Sequence, residues 1–121
     1  MKYIITENQY KLLTEQEEKV LRVPFAVFNN DWDVLQKFLE RRGNPPYEIT
    51  DDLNLYESNI KSLGNLTSVG GSLDLYGSKI ESLGNLTSVG GYLDLKDTPL
   101  SKKYTEEEIR SMVEVGSEVY L

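Results

Sequence analysis

Acidic side chains recur at a fixed interval in the middle of the chain, and they are the first residues that could carry chemistry. Asp74 and Asp94 lie 20 residues apart, and Asn54 occupies the same place one interval earlier. If these segments pair as strands, the two carboxylates lie about 4.8 Å apart, close to the separation of roughly 5 to 10 Å in glycosidase acid–base pairs. Nothing around them predicts a pocket. A hydrolase is therefore the least favoured function, and we expect no enzymatic activity.

Two residue types that dominate catalytic and metal chemistry are absent, because the sequence contains no histidine and no cysteine. This composition excludes Ser-His-Asp and Cys-His nucleophile systems, zinc sites that need imidazole or thiolate, and disulfides. A calcium ion requires six or more oxygen ligands, and one aspartate per interval supplies too few. We therefore expect no bound metal and no cofactor.

Tyrosines flank the acidic positions. Tyrosine is enriched at protein interfaces because it offers a large contact area with a polar tip at low entropic cost. Stacked tyrosines can also simply stabilise neighbouring strands, and both interpretations stay open. The predicted partner-binding residues are Asn54, Tyr56, Asp74, Tyr76, Tyr92 and Asp94.

A near-duplicated segment must position these residues. Residues 53–72 and 73–92 are copies, residues 62–71 and 82–91 are identical, and a third copy begins at Leu93. A fixed period of this size indicates a repeat architecture in which each unit buries its apolar side against the next. Leu53 and Leu55 alternate with polar residues, which is the pattern of a short strand with one buried side. The glycine pair at Gly70 and Gly71 permits a positive φ or a close approach between neighbouring backbones.

The order L-x-L-x-x-S-x-I, found at residues 53–60 and 73–80, resembles the central motif of leucine-rich repeats. Ser58, Ser78 and Thr98 stand where that family usually has asparagine. The longer pattern V-G-G-x-L-D-L is similar to short repeats of bacterial and bacteriophage proteins. The resemblance covers residues 49–100, and it implies the repeat architecture and a role in binding other macromolecules.

The predicted fold class is α+β, a short leucine-rich-repeat-like β-solenoid capped by helices at both ends. Residues 1–48 form the N-terminal cap region, residues 49–100 the repeats and residues 101–121 the C-terminal cap, within one compact domain. The first cap is expected to contain a strand at residues 2–5, a helix after Thr6, an extended segment at residues 20–28 and a helix that starts at Asn30 or Asp31. In the second cap, Thr105 begins a helix with a capping box, and residues 115–121 form a short strand.

Charge predicts the class of partner. The net charge is −7, and residues 47–100 carry three basic and eight acidic side chains. An acidic surface repels phosphates, so we expect a basic protein surface as the partner and no direct binding to nucleic acid. No apolar segment has the length of a signal-peptide core or of a membrane span. We therefore expect a cytoplasmic location, in the host cytoplasm if the protein is phage-encoded, and no membrane partner.

These observations predict a non-enzymatic protein–protein interaction module. The small, acidic, repeat-containing chain resembles bacteriophage accessory proteins, which suggests an inhibitor of a host defence or nucleic-acid-binding protein. The alternative is a structural protein that self-associates as a homodimer, because a chain with few repeats gains buried area by pairing.

Overall fold

A computed structural model describes residues 20–121 of the chain. The strand predicted at residues 2–5 and the helix predicted after Thr6 lie outside the described residues. The strands are β1 (Leu21–Val23), β2 (Tyr47–Ile49), β3 (Leu53–Asn54), β4 (Leu66–Val69), β5 (Leu73–Asp74), β6 (Ser88–Val89), β7 (Leu93–Asp94), β8 (Glu114–Val115) and β9 (Val119–Tyr120). The helices are a 3-10 helix (Phe25–Phe28), α1 (Trp32–Glu40), α2 (Pro99–Lys103) and α3 (Glu106–Met112).

The strands form two parallel sheets. One has the order β1-β2-β4-β6-β8 and the other the order β3-β5-β7-β9. Residues 20 positions apart pair directly, as in Leu53 with Leu73 and Leu73 with Leu93. These three leucines are fully buried, in a core that also contains Val69 and Val89 of the first sheet. The period-2 prediction for the leucines is therefore confirmed.

The glycine pairs permit a close approach of neighbouring backbones, as predicted. The N–H of Gly70 donates to the carbonyl of Ile49 at 2.7 Å, and that of Gly90 donates to Val69 at 2.8 Å. A Cβ atom on Gly70 would lie 2.6 Å from the carbonyl oxygen of Thr50, which is inside van der Waals contact. Neither glycine has a positive φ, so the close approach is what requires them.

The predicted fold class is wrong. The described residues form a mixed α/β fold with two parallel sheets, three α-helices and one 3-10 helix, and neither sheet is closed or forms a solenoid. Strands complete both sheets at their ends. β1 lies in the predicted extended segment and pairs with β2, while β8 and β9 pair with β6 and β7, and β9 lies within the strand predicted at residues 115–121. A strand satisfies the unpaired N–H and C=O groups of a sheet edge, which a helix cannot do because its own backbone groups are already paired.

The segment at residues 20–28 is extended only in its first part. β1 ends at Val23, and the 3-10 helix follows because the Asp51 carboxylate accepts the N–H groups of Phe25 at 2.6 Å and Ala26 at 3.1 Å. Phe25 is thereby fixed in the core. The next helix is confirmed, since Asp31 caps its N-terminus.

The C-terminal helices are short and lead into the last two strands. Thr105 and Glu108 form the predicted capping box at the start of α3. Ile109 and Val113 are buried, whereas Met112 is 45% exposed. None of the helices in the described part of the chain combines the length and apolar character needed to cross a bilayer.

Candidate functional site

The outward-pointing side chains of the four-stranded sheet form a flat array, which we call the strand face. Because side chains alternate along a strand, the residues between and beside the buried leucines point to the same outer side. Successive strands are in register, so these residues align in rows. The first row contains Asp52, Ser72, Tyr92 and Glu118, the second contains Asn54, Asp74, Asp94 and Tyr120, and the third contains Tyr56, Tyr76 and Lys96.

All six residues predicted as the partner-binding set therefore lie on one face. The repeat period aligns them in rows, since the residues of one row occupy equivalent positions on successive strands. Tyr56 is 50% exposed and Tyr92 is 37% exposed, so both rings are available to a partner.

Asn54, Asp74 and Asp94 have a backbone role that the sequence analysis missed. The Oδ1 atom of each accepts the N–H of the residue two positions later, at 3.0 Å in all three cases. This Asx-turn geometry mimics a backbone turn and ends each strand at the same point. It occupies one oxygen of each aspartate and leaves Oδ2 for other contacts.

The tyrosines are arranged in contacting pairs. The ring centroids of Tyr56 and Tyr76 are 5.4 Å apart with a tilted arrangement, and those of Tyr92 and Tyr120 are 5.9 Å apart with an edge-to-face arrangement. Such pairs contribute about 0.5 to 1.5 kcal/mol beyond their buried area. The contacts therefore stabilise the strands against one another while the outer ring surfaces stay exposed.

Lys96 occupies the space between the two tyrosine pairs. Its Nζ atom lies 5.7 Å from the ring centroid of Tyr76 and 5.1 Å from that of Tyr120. The same Nζ lies 3.8 Å from Oδ2 of Asp94. These distances fit cation–π contacts and an ion pair, so the strand face already holds one cation.

The pKa values of Tyr76 and Tyr92 are raised, and nearby negative charge contributes to both. For Tyr92 the main cause is burial, followed by the charges of Asp74, Asp94 and Asp52. For Tyr76 the main cause is the neighbouring Asp97 carboxylate, which raises the pKa by hydrogen bonding and by its charge. Both phenols are therefore uncharged at neutral pH, and both lie within reach of carboxylates.

Tyr120 and Glu118 belong to the strand face but were missed by the sequence analysis. They lie on β9 and just before it, where the pairing of Leu93 with Val119 and of Asp94 with Tyr120 has an offset of 26 residues. The interval is longer than in the repeats because α2 and α3 lie between β7 and β9. The signal was present in the sequence, because residues 115–121 read VGSEVYL and match the VGGYLDL of residues 89–95.

Two grooves on the surface lie away from Asp74 and Asp94. One, of about 410 Å³, follows the outer side of the five-stranded sheet and contains Ser68 and Ser88. Another, of about 660 Å³, lies between the start of α1 and β3 and contains Trp32 and Tyr56. Neither groove includes Asp74 or Asp94. Within residues 20–121 no three acidic side chains are placed to share a metal ion.

The strand face thus combines exposed tyrosine rings, carboxylates with a free oxygen and one lysine, on a flat surface. Its geometry is the basis for assigning a function to the chain. Comparison of the sequence with protein-family models finds no match, and comparisons with curated proteins and with solved structures find none either.

Proposed function

We propose that this protein is a non-enzymatic binding module whose strand face docks on a basic surface of a partner protein. The observation that carries the proposal is the composition of the aligned rows. They contain four tyrosines and four carboxylates but a single basic side chain, Lys96. A flat surface of this kind complements a positively charged protein surface in both shape and charge.

The two residue types would have different roles in binding. Tyrosine rings supply contact area with few rotatable bonds, so that little conformational entropy is lost on association. Carboxylates such as Asp74 attract a basic partner over a distance and increase the association rate more than the final affinity. Because salt screens such attraction, binding should weaken as ionic strength rises.

The triple variant Tyr56→Ala, Tyr76→Ala, Asp74→Lys should lose the partner. Removal of two aromatic contacts and reversal of a charge at an interface costs several kcal/mol, so we expect affinity to fall at least a hundredfold. The measurement is affinity capture from bacterial lysate by wild-type and variant protein with quantitative mass spectrometry, followed by calorimetry with the captured protein.

A matched variant on the other sheet serves as the control for this prediction. Ser68→Ala, Ser88→Ala, Glu114→Lys also makes two truncations and one charge reversal, but on the outer side of the five-stranded sheet. It should retain the partner. If both variants retain the same protein, or if the control loses it equally, the strand face is not the binding surface.

A more specific form of the proposal is that the protein is encoded by a phage and acts in the host cytoplasm. There it would inhibit a nucleic-acid-binding protein of the host. The strand face presents carboxylates such as Asp74 and Asp94 to a basic surface that otherwise binds phosphates. Displacement of labelled DNA or RNA from the captured protein by the wild type, but not by the triple variant, would support this form. Simultaneous binding of protein and nucleic acid would contradict it.

Self-association is the second candidate function, and the sheet edges favour it. Within residues 20–121, β3 and β9 are the outer strands of the four-stranded sheet, and such edges can pair with another chain. Tyr120 and Leu121 at this edge are 40% and 37% exposed. Light scattering over a wide concentration range should then give twice the chain mass of 13.8 kDa. A single chain mass at every concentration would remove this candidate.

A further inference from the structure

Lys96 shows what kind of group the strand face binds. Its ammonium group lies over the rings of Tyr76 and Tyr120, and it pairs with Oδ2 of Asp94 at 3.8 Å. The Asp94 side chain is only 14% exposed, against 46% for Lys96. The place that Lys96 occupies, which we call the slot, is formed by Asp94, Tyr76 and Tyr120. It combines a largely covered carboxylate with aromatic rings, and both favour a cation.

Asp74 is the equivalent carboxylate on the preceding strand, and it has no such cation. Asp74 pairs with Asp94 across β5 and β7, and its Oδ1 accepts the Tyr76 N–H just as Oδ1 of Asp94 accepts the Lys96 N–H. The residue that would supply the cation is Tyr76, where the next copy has Lys96. Among residues 20–121, no lysine or arginine lies within ion-pair distance of Asp74.

Tyr92 supplies the aromatic surface beside Asp74. It follows Ser72 in the first row, so it is the diagonal neighbour of Asp74 on the adjacent strand. Of the surrounding carboxylates, Asp74 has the largest effect on the raised pKa of Tyr92. The Tyr92 ring contacts Tyr120 edge to face. This contact holds the Tyr92 ring in place while the residue stays 37% exposed.

We propose that Asp74 and Tyr92 form a site for an arginine side chain of the partner protein. This inference rests on the proposed function and names the group that the strand face recognises. A guanidinium can stack on the Tyr92 ring and donate hydrogen bonds to Oδ2 of Asp74 at the same time, because it is planar and carries its donors at the edge. A lysine ammonium makes both kinds of contact at Lys96, but it is a point charge that lacks the flat face and the paired edge donors of a guanidinium. An incoming arginine would also relieve the repulsion between Asp74 and Asp94, which face each other directly.

The test uses three peptides of equal length, hexa-arginine, hexa-lysine and hexa-citrulline, with affinity measured by calorimetry at low salt. Wild-type protein should bind hexa-arginine at least threefold more tightly than hexa-lysine, and hexa-citrulline should not bind. Asp74→Asn should weaken hexa-arginine binding at least fivefold. This variant keeps the Asx turn, because Asn54 makes the same hydrogen bond on β3.

Glu81→Gln provides the matched control. It removes one negative charge at an exposed position in a different groove, beside Leu83 and Tyr104, and it should change hexa-arginine affinity less than twofold. Lys96→Met should increase that affinity at least twofold, because it exposes the Asp94 carboxylate, and far-UV circular dichroism checks that the variant is folded. Equal losses for Asp74→Asn and Glu81→Gln, or no gain for Lys96→Met, would overturn the arginine site.

Failure of this inference can be told apart from failure of the proposed function. If Asp74→Asn binds hexa-arginine like the wild type while the triple variant still loses the captured protein, the arginine site is wrong and the binding face stands. If the triple variant also retains the captured protein, both proposals are wrong.

Discussion

Replacement of Gly90 by alanine is expected to destabilise the protein by about 3 kcal/mol, within the range for backbone overlap in a packed interior. The added methyl group would overlap the carbonyl oxygen of Gly70, a backbone atom that cannot move aside alone. The hydrogen bond from the Gly90 N–H to the Val69 carbonyl, at 2.8 Å, would lengthen as the strands separate. Urea unfolding, followed by far-UV circular dichroism, measures the change in free energy of unfolding.

Gly43→Ala is the control that separates this overlap from backbone strain. Gly43 has a φ of +79° but no atom near the position of a Cβ, so only the left-handed conformation opposes alanine, at a cost of about 1 kcal/mol. Equal losses of stability for the two variants would contradict the close approach at Gly90. Gly116, which faces the carbonyl oxygen of Gly90, should behave like Gly90.

The second large effect is a loss of stability in alkaline solution caused by Tyr47. This side chain is 1% exposed, and burial raises its pKa from 10.0 to about 12. The folded state therefore favours the protonated phenol. Its contribution is fully present below pH 10 and is lost as the pH rises from 10 to about 12. A difference of this size corresponds to about 2 to 3 kcal/mol.

Tyr47→Phe isolates this contribution from those of the other tyrosines. At pH 7 the variant should be about 1 kcal/mol less stable, since the Tyr47 hydroxyl accepts from Gln36 at 3.2 Å and donates to the Leu63 carbonyl at 3.3 Å. Near pH 12 the order should reverse, with the phenylalanine variant the more stable. Urea unfolding from pH 7 to pH 12 measures the stability of wild type and variant. If the two stabilities change in parallel with pH, the alkaline loss of stability does not come from Tyr47.

The central strands could be predicted because the repeat copies agree. Leu53, Leu73 and Leu93 occupy the same place in each copy, and a strand buried on one side has only one register that keeps its leucines in the core. The alignment of Asn54 with Asp74 and Asp94 follows from the same constraint.

The pairing of the strands at the ends could not be predicted, because their sequences have diverged from the repeat. β9 has Val119 and Tyr120 where the repeats have leucine and aspartate, and 26 residues separate it from its partner strand. A search at an interval of 20 residues does not detect such a copy. The strand predicted at residues 115–121 was therefore not assigned a partner in the repeats, and Tyr120 was left out of the candidate site for the same reason.

Residue type and spacing were sufficient to predict the repeat, the buried leucines, the need for glycine at Gly70 and Gly90, and the common face of the predicted site residues. These features are local and periodic, so residue type and spacing express them directly. The folded structure was needed to show that strands complete both sheets and that Oδ1 of each aspartate supports a turn. It was also needed to show that Lys96 neutralises Asp94, while Asp74 has no cation among the described residues. Those features depend on distances between residues of different strands, which residue spacing alone does not determine.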